Sequence, residues 1–243
     1  MTRTVLALTG PDRTDFLQDL VTNDIRDPDR LTWTAILTPQ GKYLVDFFVA
    51  HEAERLLIDV DAEMAEGLAQ RLSLYRLRRK VGIETTDLGV SRGTGPRPEG
   101  ALPDPRHPDL GWRRIDEEGV EDGTDWDDLC VRLVIPRSNV ELIPNESYPL
   151  EMGFERLHGV DFRKGCYVGQ EVTARMKHKT ELKKGLVCVT VEGEAPVGTA
   201  IESNGKAAGT LFTQSGGRGL AWLRFDRAGP DMAAGSARVG YAG

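Results

Sequence analysis

The sequence predicts an α+β protein with a mostly antiparallel sheet, followed by a small C-terminal β-barrel. Three observations predict it. Strand-sized apolar runs and two helical stripes alternate as β-α-β-β-β-α-β across residues 5–85. Twenty-seven glycines and thirteen prolines punctuate the chain with turns, which favours strands over long helical bundles. Beyond residue 185, five more strand-sized runs are separated by glycine turns, as in a closed barrel or sandwich. At 243 residues, the chain has room for one large domain or two to three small ones.

Residues 5–8 read as a short strand ending at Gly10-Pro11. Asp12 is placed to cap a helix through about residue 20, with Phe16, Leu17, Leu20 and Val21 on its apolar stripe. Residues 33–37 and 43–50 are strand-like and joined by Thr38-Pro39-Gln40-Gly41-Lys42, a hairpin turn in which Gly41 is free to take positive φ. Residues 56–60 form a further strand. Asp61 then opens a helix with Met64, Leu68, Leu72 and Tyr75 at helical spacing, and residues 81–85 return as a strand. The Gly-, Pro- and Arg-rich stretch 89–111 reads as a connecting loop. Residues 129–135 read as a strand stopped by Pro136, and 150–157 as a short helix. The barrel runs are 186–191, 199–202, 209–212, 220–225 and 237–241, so the boundary is expected at 185/186.

Composition excludes several classes. No run approaches the roughly 18 apolar residues of a membrane span, and the first residues resemble neither a secretory signal nor a transit peptide. A cytoplasmic protein, or a mitochondrial-matrix one in a eukaryote, is expected. Three cysteines spaced 36 and 22 apart make neither a disulfide framework nor a zinc site. Cys130 and Cys188 sit in apolar runs, where cysteine is usually a small buried hydrophobe. The net charge of −7 argues against direct nucleic-acid binding. That charge is uneven: residues 163–184 carry +5, leaving −12 elsewhere. The run Arg76-Leu77-Arg78-Arg79-Lys80 is also basic. Each basic stretch is either a solvated face or a docking surface for an anionic ligand or partner.

Cys166 differs from the other two cysteines because Lys164, Gly165, Tyr167 and Gly169 surround it with loop chemistry. A helix is expected from Gln170 to residue 177. Its N-terminal partial charge and the Lys164 ammonium would both favour the thiolate, the form that attacks electrophiles or binds metal. Gly165 leaves the sulfur approachable from one side.

The run Lys164-Gly165-Cys166-Tyr167-Val168-Gly169-Gln170-Glu171 resembles the signature of the YgfZ family, folate-binding relatives of the glycine-cleavage T-protein that act in iron–sulfur cluster biogenesis and the modification of some tRNAs. Pro149-Leu150-Glu151 with Leu157-His158-Gly159-Val160-Asp161-Phe162 is similar to the family's lead-in, most of all in its mitochondrial and alphaproteobacterial branch. Asp15-Phe16-Leu17-Gln18, Thr22-Asn23-Asp24, and Leu37-Thr38-Pro39-Gln40-Gly41-Lys42 with Asp46-Phe47 resemble its N-terminal segments. The likeness spans most of residues 5–185. It implies a T-protein-like cloverleaf of mixed α/β sub-domains around a channel that holds tetrahydrofolate, residues 1–185 forming two intertwined sub-domains and 186–243 the barrel.

The resemblance also implies site residues. Cys166 would be the reactive thiol and cluster ligand, with Lys164 beside it. Trp126, Tyr167, Gly169, Gln170, Glu171 and Arg175 would line the cofactor site. The sequence departs from the T-protein pattern before Ile135-Pro136, where Arg132 replaces a carboxylate and Val134 a glycine. A guanidinium only donates, while a pterin amide edge wants an acceptor, so tight pterin binding is not expected in the ordinary pose. Arg78, Arg79 and Lys80 are placed to hold an anionic folate tail or to form a solvated face.

Three functions follow. The first is a cluster-maturation adaptor without independent catalysis. In it Cys166 gives one thiolate to an iron–sulfur cluster shared with an A-type or scaffold assembly protein, and the basic 163–184 segment meets an acidic partner face. The second is a tetrahydrofolate-dependent aminomethyltransferase-like enzyme, which Arg132 and Val134 count against. The third is a tRNA-binding accessory protein, marked by steep salt dependence, which the net charge disfavours.

Overall fold

A computed structural model describes residues 2–179 and 181–243, with the Lys179 side chain also outside the described part. The chain divides into two compact units, Met1–Thr124 with Glu155–Gln170, and Asp125–Phe154 with Glu171–Gly243.

The first unit is built on β1 (Arg3–Thr9), α1 (Arg13–Gln18), β2 (Thr32–Leu37), β3 (Tyr43–His51), β4 (Arg55–Asp61), α2 (Ala62–Arg76) and β5 (Gly82–Thr85). The strands form an antiparallel sheet in the order β2-β3-β4-β1-β5. Strand alternation assigns its two faces. Leu6 and Leu8 of β1 join Phe16 and Leu17 of α1 and Leu68 and Leu72 of α2 in one core. Val5 and Ala7 face the other way, toward Leu57 and Val90. The helical spacing ends before Tyr75, which is 36% exposed rather than on the apolar stripe.

The stretch expected to be a loop is a second sheet. β6 (Gly89–Gly93), β7 (Leu102–Pro103) and β8 (Trp112–Asp116) pair in the order β6-β8-β7, with a 3-10 turn at Pro108–Leu110. Charge pairing holds it. Arg113 of β8 donates to Asp59 of β4 at 2.7 Å and to Asp104 at 3.0 Å. Arg106 grips Asp104 through two nitrogens, and Arg3 donates to Asp59. The Arg113 and Arg106 guanidiniums lie 4.0 and 4.8 Å from the Phe48 ring centroid. None of these partners is near in sequence to all the others, so turn composition dominated the local pattern.

The second unit begins with α3 (Trp126–Leu133), which overturns the strand expected at 129–135. Asp125 accepts from Asp128 N as its N-cap, and the chain leaves the helix at Val134 in the left-handed region, φ 54°. The apolar run looked strand-like because Leu129, Cys130 and Val131 are all buried. Residues 150–157 form successive turns rather than a helix, with Gly153 at φ 81°.

After α4 (Gln170–Lys179), strands β9 (Lys184–Glu192), β10 (Thr199–Ser203), β11 (Lys206–Ser215), β12 (Arg218–Arg224), β13 (Met232–Ala234) and β14 (Ala237–Gly240) close a six-stranded barrel. Met232–Ala234 is the strand missed in the sequence, being only three residues long. Val131 of α3 packs on Phe212 and Leu220, which is why α3 belongs with the barrel although the apolar pattern marked a change near 185. Cys130 is buried, and Cys188 is half-buried in β9, where burial raises its thiol pKa. Among the described residues no helix is long and apolar enough to cross a membrane.

Candidate functional site

Cys166 is exposed, and the residues around it explain how an exposed loop is held in place. Lys164, 6% exposed, donates from Nζ to Gln18 O at 2.5 Å and to Val21 O, at the C-terminal end of α1. Its ammonium also lies 5.2 Å from the ring centroid of the buried Tyr167. Burial lowers the Lys164 pKa to about 8, against the opposing charges of Asp24 and Asp19. The sequence set this ammonium beside the thiol. The structure commits it to backbone carbonyls, because an amine this deeply buried needs acceptors within reach.

Gly169 secures the other end. At φ 85°, a Cβ there would sit 2.6 Å from Thr38 O and 3.0 Å from Gly41 Cα in the β2–β3 turn. A Cβ at Gly165 would meet nothing within 4 Å. Upstream, Thr22 Oγ1 donates to Gly159 O at 2.7 Å, and Asp161 N donates to Thr22 O at 3.0 Å. Asn23 Nδ2 donates to His158 O at 2.6 Å and Trp33 O at 2.9 Å, with His158 left-handed at φ 56°. Thr22-Asn23-Asp24, the 38–42 turn and residues 158–169 are thus one contiguous structure, and Cys166 is its accessible sulfur. Among the described residues, no cluster of three or more His, Cys, Asp or Glu side chains is arranged to hold a metal ion.

A family model described as CAF17, C-terminal beta-barrel domain, matches residues 183–242. Over 267 residues the chain is 30% identical to the human mitochondrial iron-sulfur cluster assembly factor IBA57, covering 91% of this chain and 75% of that protein. The chain belongs to the family of these iron–sulfur cluster assembly factors. The mouse factor is 29% identical with the same coverage, and a Neurospora crassa homologue is 31% identical over 80% of this chain and 54% of its own length. All three are mitochondrial, which does not support the cytoplasmic alternative. The crystal structure of the glycine cleavage aminomethyltransferase T from Bartonella henselae matches with a TM-score of 0.70, covering 98% of this chain and 81% of that one. At 11% identity that likeness establishes the T-protein-like fold alone.

The remaining expected site residues fall in different places. Tyr167 and Gly169 lie in the first unit, where they anchor the loop. Gln170 starts α4, and its N–H donates to Tyr167 O at 3.2 Å. Glu171 and Arg175, expected at the cofactor, pair with each other at 2.6 Å one helical turn apart, both exposed. An exposed pair of this kind contributes little to stability. Trp126 is the first, half-buried residue of α3 in the second unit. Arg132 pairs with Asp128 at 2.8 Å on the α3 surface. What sequence reasoning missed was the Gln18 and Val21 carbonyls, since backbone acceptors leave no residue signature.

Lys164→Met is expected to lower stability by about 2 kcal/mol, because two carbonyls lose their donor in a buried place. The pH profile of Cys166 alkylation by iodoacetamide should stay as in the parent chain. A shifted profile with stability intact would return Lys164 to the side of the thiol.

Proposed function

We propose that the protein is an iron–sulfur cluster assembly factor in which Cys166 supplies one thiolate to a cluster shared with an A-type or scaffold assembly protein. The observation that carries this reading is the exposed Cys166 sulfur on a loop anchored by Lys164 and Gly169. Family membership supplies the cargo. On ligation the Cys166 thiol gives its proton to solvent and its sulfur bonds iron, so binding is favoured as pH rises. The other ligands come from the partner. Lys164 acts by position, fixing where the sulfur stands.

The wider kinship is with the YgfZ-type factors, on the Lys164–Glu171 signature. Support for tRNA-modifying and other cluster enzymes is then indirect, through the clusters they need. In a eukaryotic cell the place of action is the mitochondrial matrix. Tetrahydrofolate does not fit the ordinary pterin pose, since Arg132 only donates and is already engaged by Asp128. The aminomethyltransferase alternative loses its footing for the same reason.

The test mixes the chain with a cluster-loaded A-type assembly protein and follows visible absorbance on the heterodimer by gel filtration. The parent chain should carry a shared chromophore, and Cys166→Ser should lose it while melting at the same temperature. Full rescue of cluster-enzyme activity by Cys166→Ala in a deletion strain would sink the reading.

A further inference from the structure

The C-terminal end of α2 carries an unusual surface. Leu74 and Leu77 are 78% and 87% exposed, and Tyr75 is 36% exposed. Single exposed apolar side chains need no explanation, but here three fall within four residues. Tyr75 and Leu77 border a groove of about 760 Å³ whose apolar lining they form with Phe16 and Leu20. Phe16 and Leu20 belong to the core, so the floor of the groove is rigid. Leu77 is held at φ 47°, ψ −109°, outside the regions that non-glycine residues favour. The chain thus keeps a strained backbone where it presents a leucine to solvent.

The rim is basic. Residues 71–80 hold Arg71, Arg76, Arg78, Arg79 and Lys80 with no acidic residue, in a chain of net charge −7. Arg79 pairs with Asp19 at 2.9 Å, and Arg76 donates to Val81 O at 3.2 Å. Lys80 is tied down through its backbone, its N–H donating to Asp12 Oδ2 at 2.7 Å, which leaves its side chain and that of Arg78 to the rim. We propose that this groove is a docking site for an acidic protein segment, which sets an apolar side chain against Tyr75 and Leu77 while its carboxylates meet Arg76 and Arg78. Charge complementarity selects an acidic occupant. The concave apolar floor selects one with a side chain to bury, which an oligoglutamate tail lacks and a flat anionic bilayer does not offer in this shape. The groove shares its α1 wall, Asp19 and Leu20, with the segment whose Gln18 and Val21 carbonyls hold Lys164, but docking in it does not depend on cluster ligation.

The probe is a fluorescein-labelled Glu-rich peptide with Leu and Phe at i, i+3, i+4 and i+7, titrated with the full chain by anisotropy. It should bind, and its Ser-substituted counterpart should bind at least about tenfold more weakly. Arg78→Glu and Leu77→Gly should each weaken binding by a similar factor. Leu77→Gly should also raise the melting temperature, since it releases the strain and removes almost no buried surface. A variant that melts higher yet docks less cannot be explained by unfolding. Four outcomes overturn the proposal: no peptide binding, equal binding of pentaglutamate, binding only to phosphatidylserine vesicles, or a concentration-dependent dimer that Leu77→Gly dissolves.

Discussion

Asp59→Ala is expected to remove about 3–5 kcal/mol of stability. Asp59 is 1% exposed and accepts from Arg3 at 2.5 Å and Arg113 at 2.7 Å. Without it, Arg113 is left with Asp104, which Arg106 already grips, and Arg3 with only the backbone carbonyl of position 59. Asp59→Asn keeps the shape and one acceptor oxygen and should cost less. The ion pairs also tie β4 to β8, so the loss should include the second sheet. Urea denaturation checks it: the midpoint falls at unchanged slope. A loss under about 1 kcal/mol would mean the charges are solvated.

The same network sets the acid limit. Burial alone would raise the Asp104 pKa, but the Arg106 charge and hydrogen bonds, together with the Arg113 charge, lower it to about 2. A carboxylate held below its unfolded value stabilises the fold fully above about pH 4, and that contribution is lost as pH falls through about 2. Acid titration of the parent chain should show this limb, and Asp104→Asn should flatten it.

Gly169→Ala is expected to cost about 2–3 kcal/mol and to loosen the Cys166 loop. Two effects combine. The backbone at φ 85° penalises any Cβ, and the new carbon would meet Thr38 O, a carbonyl already accepting from Gly41 N at 2.9 Å. Neither obstacle is a side chain able to swing away. Gly165→Ala, in the same motif, meets open space and should stay within about 0.5 kcal/mol of the parent. Melting curves of the two variants measure the contrast. In the shared-chromophore assay Gly169→Ala should give less complex, since its sulfur no longer stands where a partner's cluster can be reached. Equal behaviour of the two glycine variants would show that the loop is not seated on the β2–β3 turn.

Local chemistry carried much of this protein. Short continuous apolar runs in 3–9 and 43–51 specify strands with two buried faces, and Asp61, whose carboxylate accepts from Glu63 N, caps the helix that the spacing of Leu68 and Leu72 demands. The signature around Cys166 was legible as a motif, and the glycine-spaced strands as a barrel. Such features depend on neighbours within about one turn or one hairpin, so the order of residues contains them.

Other features depend on partners that only folding brings together. Residues 89–111 look like a loop until Arg113 meets Asp59, 54 positions away. Leu129, Cys130 and Val131 look like a strand until Phe212 and Leu220 offer a surface for one face of a helix. Lys164 looks like an activator of the neighbouring thiol until Gln18 and Val21 turn their carbonyls toward it from more than 140 positions away. By itself the sequence determined the first sheet with its two helices, most of the barrel strands and which sulfur is unlike the others. The tertiary structure decided what each charged side chain does, because a buried charge takes its role from whichever acceptor or counter-charge the fold sets within hydrogen-bonding distance.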